Sequence, residues 1–231
     1  MSTKSVNTEC KNLTAAELEQ DAGWQAIYAQ SFPPEEVESF EHVIVPGVRG
    51  NVMSALCVRD KDETMAMAAV HHLYNNDLGF LVYIAAKPGE RGKGHGTAML
   101  QYSLKIAEDR RRVMDVKTPK MVVEVDMPGQ DGITADEKKK REDRIHFFES
   151  RGGLTFMPHM RYAQPPLQDG APPVPMNLMI HKGLNGAVPD DAIMWEVVGQ
   201  MFVQKYGKVN GIKKQTLDDL LKVLQHGEKL D

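Results

Sequence analysis

The chain has 231 residues, with 28 basic and 32 acidic side chains and a formal net charge of −4. At 42% hydrophobic and 26% charged it has the apolar material for a core, and its charge is too balanced for a disordered chain. The slight acidic excess excludes the basic footprint of a nucleic-acid binder, and the longest apolar run, Gly79–Ala86, falls far short of the ~18 residues of a membrane span.

The first ten residues have no apolar stretch after Lys4, so no export signal is expected. Cys10 and Cys57 lack the CxxC spacing of a zinc or redox site and read as free thiols of a reducing, cytoplasmic compartment. His71 and His72 are adjacent in a strand pattern and would point to opposite faces, so no metal site is expected.

In chain order, Leu18, Ala22, Ile27 and Tyr28 recur at helical spacing behind Thr14, with Glu17 completing a capping box, which predicts one helix over Thr14–Gln30. Pro33-Pro34-Glu35-Glu36 opens a second short helix through Phe40 that Pro46-Gly47 closes. Three β-favouring runs follow, Val52–Val58, Thr64–Leu73 and Leu78–Ala86, separated by the turn clusters Asp60-Lys61-Asp62 and Asn75-Asn76-Asp77. They predict an antiparallel meander whose third strand, apolar on both faces, lies inside the sheet.

After Lys87-Pro88-Gly89-Glu90 comes a glycine-rich loop, then a helix with Leu100, Leu104 and Ala107 in its stripe and Arg110-Arg111-Arg112 at its negative pole, then a strand over Met121–Met127. Strand, crossover helix and strand imply a parallel pair. Thr134 and Glu137 form a second capping box, opening a helix that runs to Phe148 and stops at Gly152-Gly153. Leu154–Met157 and Met176–His181 read as strands around a proline-rich loop, which either rims a substrate pocket or is a plain connector. From Val188, stripes at Met194, Val197, Val198 and Met201, ended by Gly207, and at Leu217, Leu220, Leu221 and Leu224, between Thr216 and Gly227, predict two helices. Their apolar faces either pack on the main domain or pair with a second copy as a homodimer.

Gly92, Gly94 and Gly96 stand between an inner strand and a helix, where glycine lets the backbone approach a ligand and the helix N-terminus favours negative charge. Arg91 and Lys93 add positive charge, so the loop is read as a phosphate site. A Walker loop counted from Gly89 needs lysine where His95 stands, and a dinucleotide fingerprint counted from Gly92 needs glycine where Thr97 stands. Both readings fail on spacing.

Arg91-x-x-Gly94-x-Gly96, preceded by Ile84-Ala-Ala86-Lys-Pro88, resembles the acyl-CoA-binding motif of the GCN5-related N-acetyltransferases, the GNAT superfamily. Phe148-Glu-Ser-Arg-Gly-Gly-Leu154 resembles the family's second helix motif, and the order of elements extends the likeness over residues 10–183, with residues 188–231 as a C-terminal helical extension. The resemblance implies an α/β fold with a mixed central sheet, in which the meander joins a parallel strand pair around a V-shaped cofactor cleft. It implies acetyl-CoA as cofactor, with the backbone of Ile84 and Ala86 on the pantetheine arm and the N–H groups of Gly92, Lys93, Gly94, His95, Gly96 and Thr97 on the diphosphate. A primary amine of a small molecule would attack the acyl carbon directly.

An alkylammonium with a pKa near ~10.4 must lose a proton first, so a base is needed. Glu124 is the first candidate, because period-two alternation puts it and Asp126 on one face about 7 Å apart, where two like charges raise one pKa. His72 and Tyr83 are alternates. Where the family often has a tyrosine that protonates the departing sulfur, this chain has Phe148, which either walls the thioester or packs in the core; Arg141 replaces the family's asparagine seven residues earlier. A non-catalytic acyl-CoA-binding or assembly module and a protein acetyltransferase are the alternative functions.

Overall fold

A computed structural model describes residues 8–33, 36–73, 78–110, 119–130, 132–168, 170–182 and 186–227. The strands are β1 (Thr8–Leu13), β2 (Met53–Asp60), β3 (Glu63–Leu73), β4 (Leu78–Ala86), β5 (Met121–Asp126), β6 (Leu154–Phe156), β7 (Tyr162–Gln164) and β8 (Val174–His181). The helices are α1 (Ala15–Gln20), α2 (Ala22–Ser31), α3 (Val45–Arg49), α4 (His95–Asp109), α5 (Ala135–Gly152), α6 (Asp191–Gln200) and α7 (Lys214–His226), with π-helical stretches at Phe40–Ile44 and Met201–Val209. The strand order is β1-β2-β3-β4-β5-β8-β6, with β7 beside β8. The sheet is mixed: β4 and β5 run parallel, as the strand–helix–strand pattern requires, among antiparallel neighbours. The Asn75-Asn76-Asp77 turn, Pro34-Glu35 and Arg111-Arg112 lie outside the described residues.

The chain forms two compact units, one of residues up to His71 with Leu81–Ile106, the other of His72–Phe80 with Ala107 onward. In the first, the Thr14 capping box forms as expected: Thr14 Oγ1 accepts the Glu17 N–H at 3.3 Å and Glu17 Oε2 accepts the Thr14 N–H at 2.8 Å. The single helix expected behind it is two. Asp21 leaves helical geometry (φ −83°, ψ 84°) and caps α2 by accepting the Trp24 N–H at 2.9 Å. Its carboxylate also accepts the Thr64 hydroxyl at 3.0 Å and pairs with Arg59 at 2.7 Å. An aspartate that competes with the backbone for hydrogen bonds breaks a helix that apolar periodicity alone would continue.

The helix expected from Pro33 to Phe40 is also displaced. The Phe40–Ile44 turn follows Ser39 and runs straight into α3, with Pro46 in its first turn. Proline there needs no N–H partner, so it starts a helix instead of closing one. Strand β1, where a short N-terminal run of mixed polarity gives no alternation, pairs antiparallel with β2. Trp24, Ile27, Tyr28 and Ile44 pack on Met53, Ala55, Cys57, Met67 and Ala69, and the Trp24 indole N–H donates to the Leu56 carbonyl at 3.1 Å.

In the second unit β8 is the common partner. It pairs antiparallel with β5 (Glu124 opposite Leu178), with β6 (Leu154 opposite His181) and with β7 (Tyr162 opposite Met176). The connector before the prolines thus contributes a short strand. Helix α5 stops at Gly153, whose left-handed backbone (φ 64°) returns N–H bonds to Phe148 and Glu149. The expected stripe of the extension is buried within this unit at Met194, Val197, Val198, Leu217, Leu220 and Leu224. The first of its helices does not end at Gly207 but widens into the Met201–Val209 π-helix, and α7 starts at Lys214 instead of being capped by Thr216.

Candidate active site

The glycine-rich loop lies in the first unit. Lys87, just after β4, is tied back by its N–H to the Met65 carbonyl at 2.8 Å, and the Glu90 N–H bonds the Lys87 carbonyl at 3.0 Å. Gly92 and Gly94 have φ of +80° and +91°, the region open to glycine, and a methyl at either would meet nothing within 4 Å. Their backbone therefore borders open space. Helix α4 starts at His95, and its first bond, from the Ala98 N–H to the Gly94 carbonyl at 3.0 Å, leaves the preceding amides without intrahelical acceptors. Amides so placed, with the helix dipole behind them, favour negative charge. Arg91 is exposed, and Lys93 donates to Glu90 at 2.9 Å. That bond, ahead of Lys93's charge, holds the Glu90 carboxyl below its usual range. His95 is buried, while Gly96 and Thr97 are half-buried.

On β4, Ile84 and Ala86 are half-buried, and Tyr83 points into the core of the same unit. Its hydroxyl donates to the Glu36 carbonyl at 2.7 Å and accepts the Glu38 N–H at 3.2 Å, and its ring meets Tyr28 edge-on at 4.9 Å. Burial, then the Glu38 charge, pushes the Tyr83 phenol well above the ordinary range. The hydroxyl therefore anchors the segment before Ser39.

Glu124 and Asp126, in the second unit, each have their own partner. Asp126 pairs with Arg144 of α5, so the repulsion expected between the two carboxylates is offset by a cation. Glu124 is half-buried and meets two phenols that the sequence reading had not connected to it. Tyr206 donates to Glu124 Oε1 at 2.7 Å and reaches Oε2 at 2.9 Å; Tyr162 of β7 donates to Oε1. Both phenols are buried, Tyr162 and Tyr206 each at 2% exposure, with the Phe202 ring 6.2 Å and 6.0 Å away respectively. Burial first, and the Glu124 charge second, push both well above the usual tyrosine range, so they act as donors.

His72 is 5% exposed, and burial, reinforced by the charge of Arg110, lowers it to about 3. An imidazole so acidic is a poor proton acceptor at neutral pH. Its unfolded form takes up a proton near pH ~6.5, so the native state loses stability as pH falls from there towards the folded value. Between pH 7 and pH 4 this amounts to roughly 3 kcal/mol. His72→Phe is expected to flatten the stability–pH curve by about that amount in denaturant titrations at the two pH values; parallel curves for the two proteins would refute it. Phe148 is 3% exposed near the end of α5, beside the Phe147 ring at 5.5 Å. Arg141 donates to the Met127 carbonyl at 2.9 Å and to Gln130 at 2.8 Å, fixing the turn after β5.

Residues 20–121 match the acetyltransferase (GNAT) family model. No curated protein matches the sequence. Among solved structures, the chain is similar to an acetyltransferase of the GNAT family from Bacteroides thetaiotaomicron, with TM-score 0.64, 23% identity, 89% of this chain and 99% of that one covered. It is also similar to the acetyltransferase yncA from Salmonella typhimurium with its cofactor acetyl-CoA, at TM-score 0.51 and 13% identity, covering 80% and 98%. An aminoglycoside 6'-N-acetyltransferase complexed with coenzyme A gives TM-score 0.51 and 14% identity over 74% and 95%.

Proposed function

From a chain that carries a GNAT acetyltransferase domain over residues 20–121, we infer an N-acetyltransferase that moves an acetyl group from acetyl-CoA to the primary amine of a small molecule. The observation that carries the reading is the loop from Arg91 to Thr97, where Gly92 and Gly94 border open space before the start of α4. The residues present fit a diphosphate: amides without intrahelical acceptors, a helix dipole, and Arg91 and Lys93 for charge. The fold neighbours seen with acetyl-CoA and with coenzyme A support the same ligand. Acetyl-CoA, when bound, supplies the acetyl group as a thioester.

In this reading the amides from Gly92 to Thr97 hold the diphosphate and the backbone of Ile84 and Ala86 lines the pantetheine arm. Glu124 takes a proton from the acceptor ammonium, directly or through water. The new C–N bond replaces the C–S bond. Of the two protons the ammonium gives up, one ends on the sulfur and the other passes through Glu124 to solvent. A backbone N–H near Ala86 answers the negative charge that develops on the acyl oxygen. Phe148 has no proton to give, so the sulfur departs as thiolate, which a thiol of pKa near ~8.5 allows.

Thiol release from acetyl-CoA, measured across a panel of primary amines, tests the function. Amine-dependent release is expected. Saturable binding of coenzyme A without release for any amine would instead support a non-catalytic acyl-CoA-binding module, and release on lysine-rich peptides alone would indicate a protein acetyltransferase.

A further inference from the structure

The Glu124 cluster is costly to build. A carboxylate and two phenols are drawn together beside apolar rings: Phe80 lies 6.4 Å from Tyr206, and Phe202 meets Tyr206 at 6.0 Å and 90°. Replacing such a buried polar group with well-packed apolar side chains is often neutral or stabilising, so stability alone does not account for it. The members come from three places far apart in the chain: β5, β7 and the Met201–Val209 π-helix. The last lies well past residue 121, where the family match ends. A π-helix gives up favourable backbone geometry to re-aim a side chain and is frequent at functional sites. Of the three residues only Glu124 is accessible, since both tyrosines are sealed.

We propose that Tyr206, from the C-terminal extension, and Tyr162 are positioning residues for acetyl transfer, fixing the Glu124 carboxylate as the proton acceptor. The proposal rests on the reading that Glu124 takes the acceptor's proton. Donors on Oε1 from two directions, with Tyr206 also reaching Oε2, fix both the plane and the rotamer of the carboxylate. Nearby, Asp126 pairs with Arg144, and the buried Lys205 donates to Asn210 at 2.8 Å with its ammonium 5.9 Å from the centre of the Tyr206 ring. The extension is thereby part of the reaction apparatus and not an appendage to it.

The test compares wild type, Tyr206→Phe and Tyr162→Phe, which keep the ring and remove only the hydroxyl. Amine-dependent thiol release is followed across pH, and the Glu124 carboxyl is titrated by carbon-13 NMR with Glu124→Gln as the assignment control. Loss of a charge-assisted donor makes the carboxyl easier to protonate. In each variant the NMR midpoint and the acidic limb of kcat are expected to rise together, on the order of one pH unit. kcat at neutral pH is expected to fall about tenfold, with the KM for acetyl-CoA unchanged. An unmoved midpoint and limb in a folded variant, with only a lower melting temperature, would make the phenols structural and overturn the proposal. Failure of both variants to fold would overturn it in the same way. Wild type that releases no thiol with any amine overturns the function itself, a result distinct from an active wild type whose variants keep its pH profile.

Discussion

Glu124→Gln is expected to lower turnover about 10²–10⁴-fold at neutral pH, the usual contribution of a positioned general base, while coenzyme A affinity stays within about twofold. Glutamine keeps the length of the side chain, and its amide oxygen can still accept from Tyr162 and Tyr206, so the surrounding packing should survive. What it loses is the ability to hold a proton. Steady-state kinetics with an amine found by the thiol-release panel, alongside calorimetry with coenzyme A, separates the two effects. Full turnover in the variant at pH 7 would remove Glu124 from the proposed chemistry.

Gly94→Glu is expected to abolish saturable binding of coenzyme A, for two separable reasons. The backbone at Gly94 has φ +91°, where any side chain costs on the order of 1–3 kcal/mol in strain. The added carboxylate would then face the diphosphate in the space that the glycine leaves open. Gly94→Ala carries the strain without the charge and should weaken binding by roughly tenfold or less. Calorimetry on the three proteins, with thermal unfolding as the check on the fold, gives the ranking. Wild-type affinity in Gly94→Glu would show that this bend does not hold the anion.

The features that the sequence announced are those governed by neighbours in the chain. Capping at Thr14 involves residues three positions apart, the meander follows local β propensity, and the loop is legible because three glycines stand in five residues. Glu124 stood out because strand periodicity makes a carboxylate in a valine-rich run conspicuous. The break at Asp21 was hidden because the apolar spacing continues across it; what decides it is a capping bond reinforced by Arg59 of β2 and Thr64 of β3. Strand β1 had no alternation to read. Tyr162 and Tyr206 were missed for a deeper reason: they meet Glu124 across 38 and 82 positions, and hydrogen bonds at such separations leave no periodic trace. For Tyr206 the available signal was its place four residues after Phe202, at helical spacing with an apolar ring, because a buried phenol needs a partner.

The 82 positions between Glu124 and Tyr206 also set a clock during synthesis. At about 5–20 residues per second, a ribosome needs on the order of ten seconds to travel from one to the other. Throughout that interval the nascent chain carries the glutamate without the Tyr206 phenol. A chain that stops before Met201 already holds the Tyr162 donor but lacks the second phenol, so the carboxylate is then fixed from one side only. The bond from Tyr206 to this glutamate closes only when the π-helix emerges.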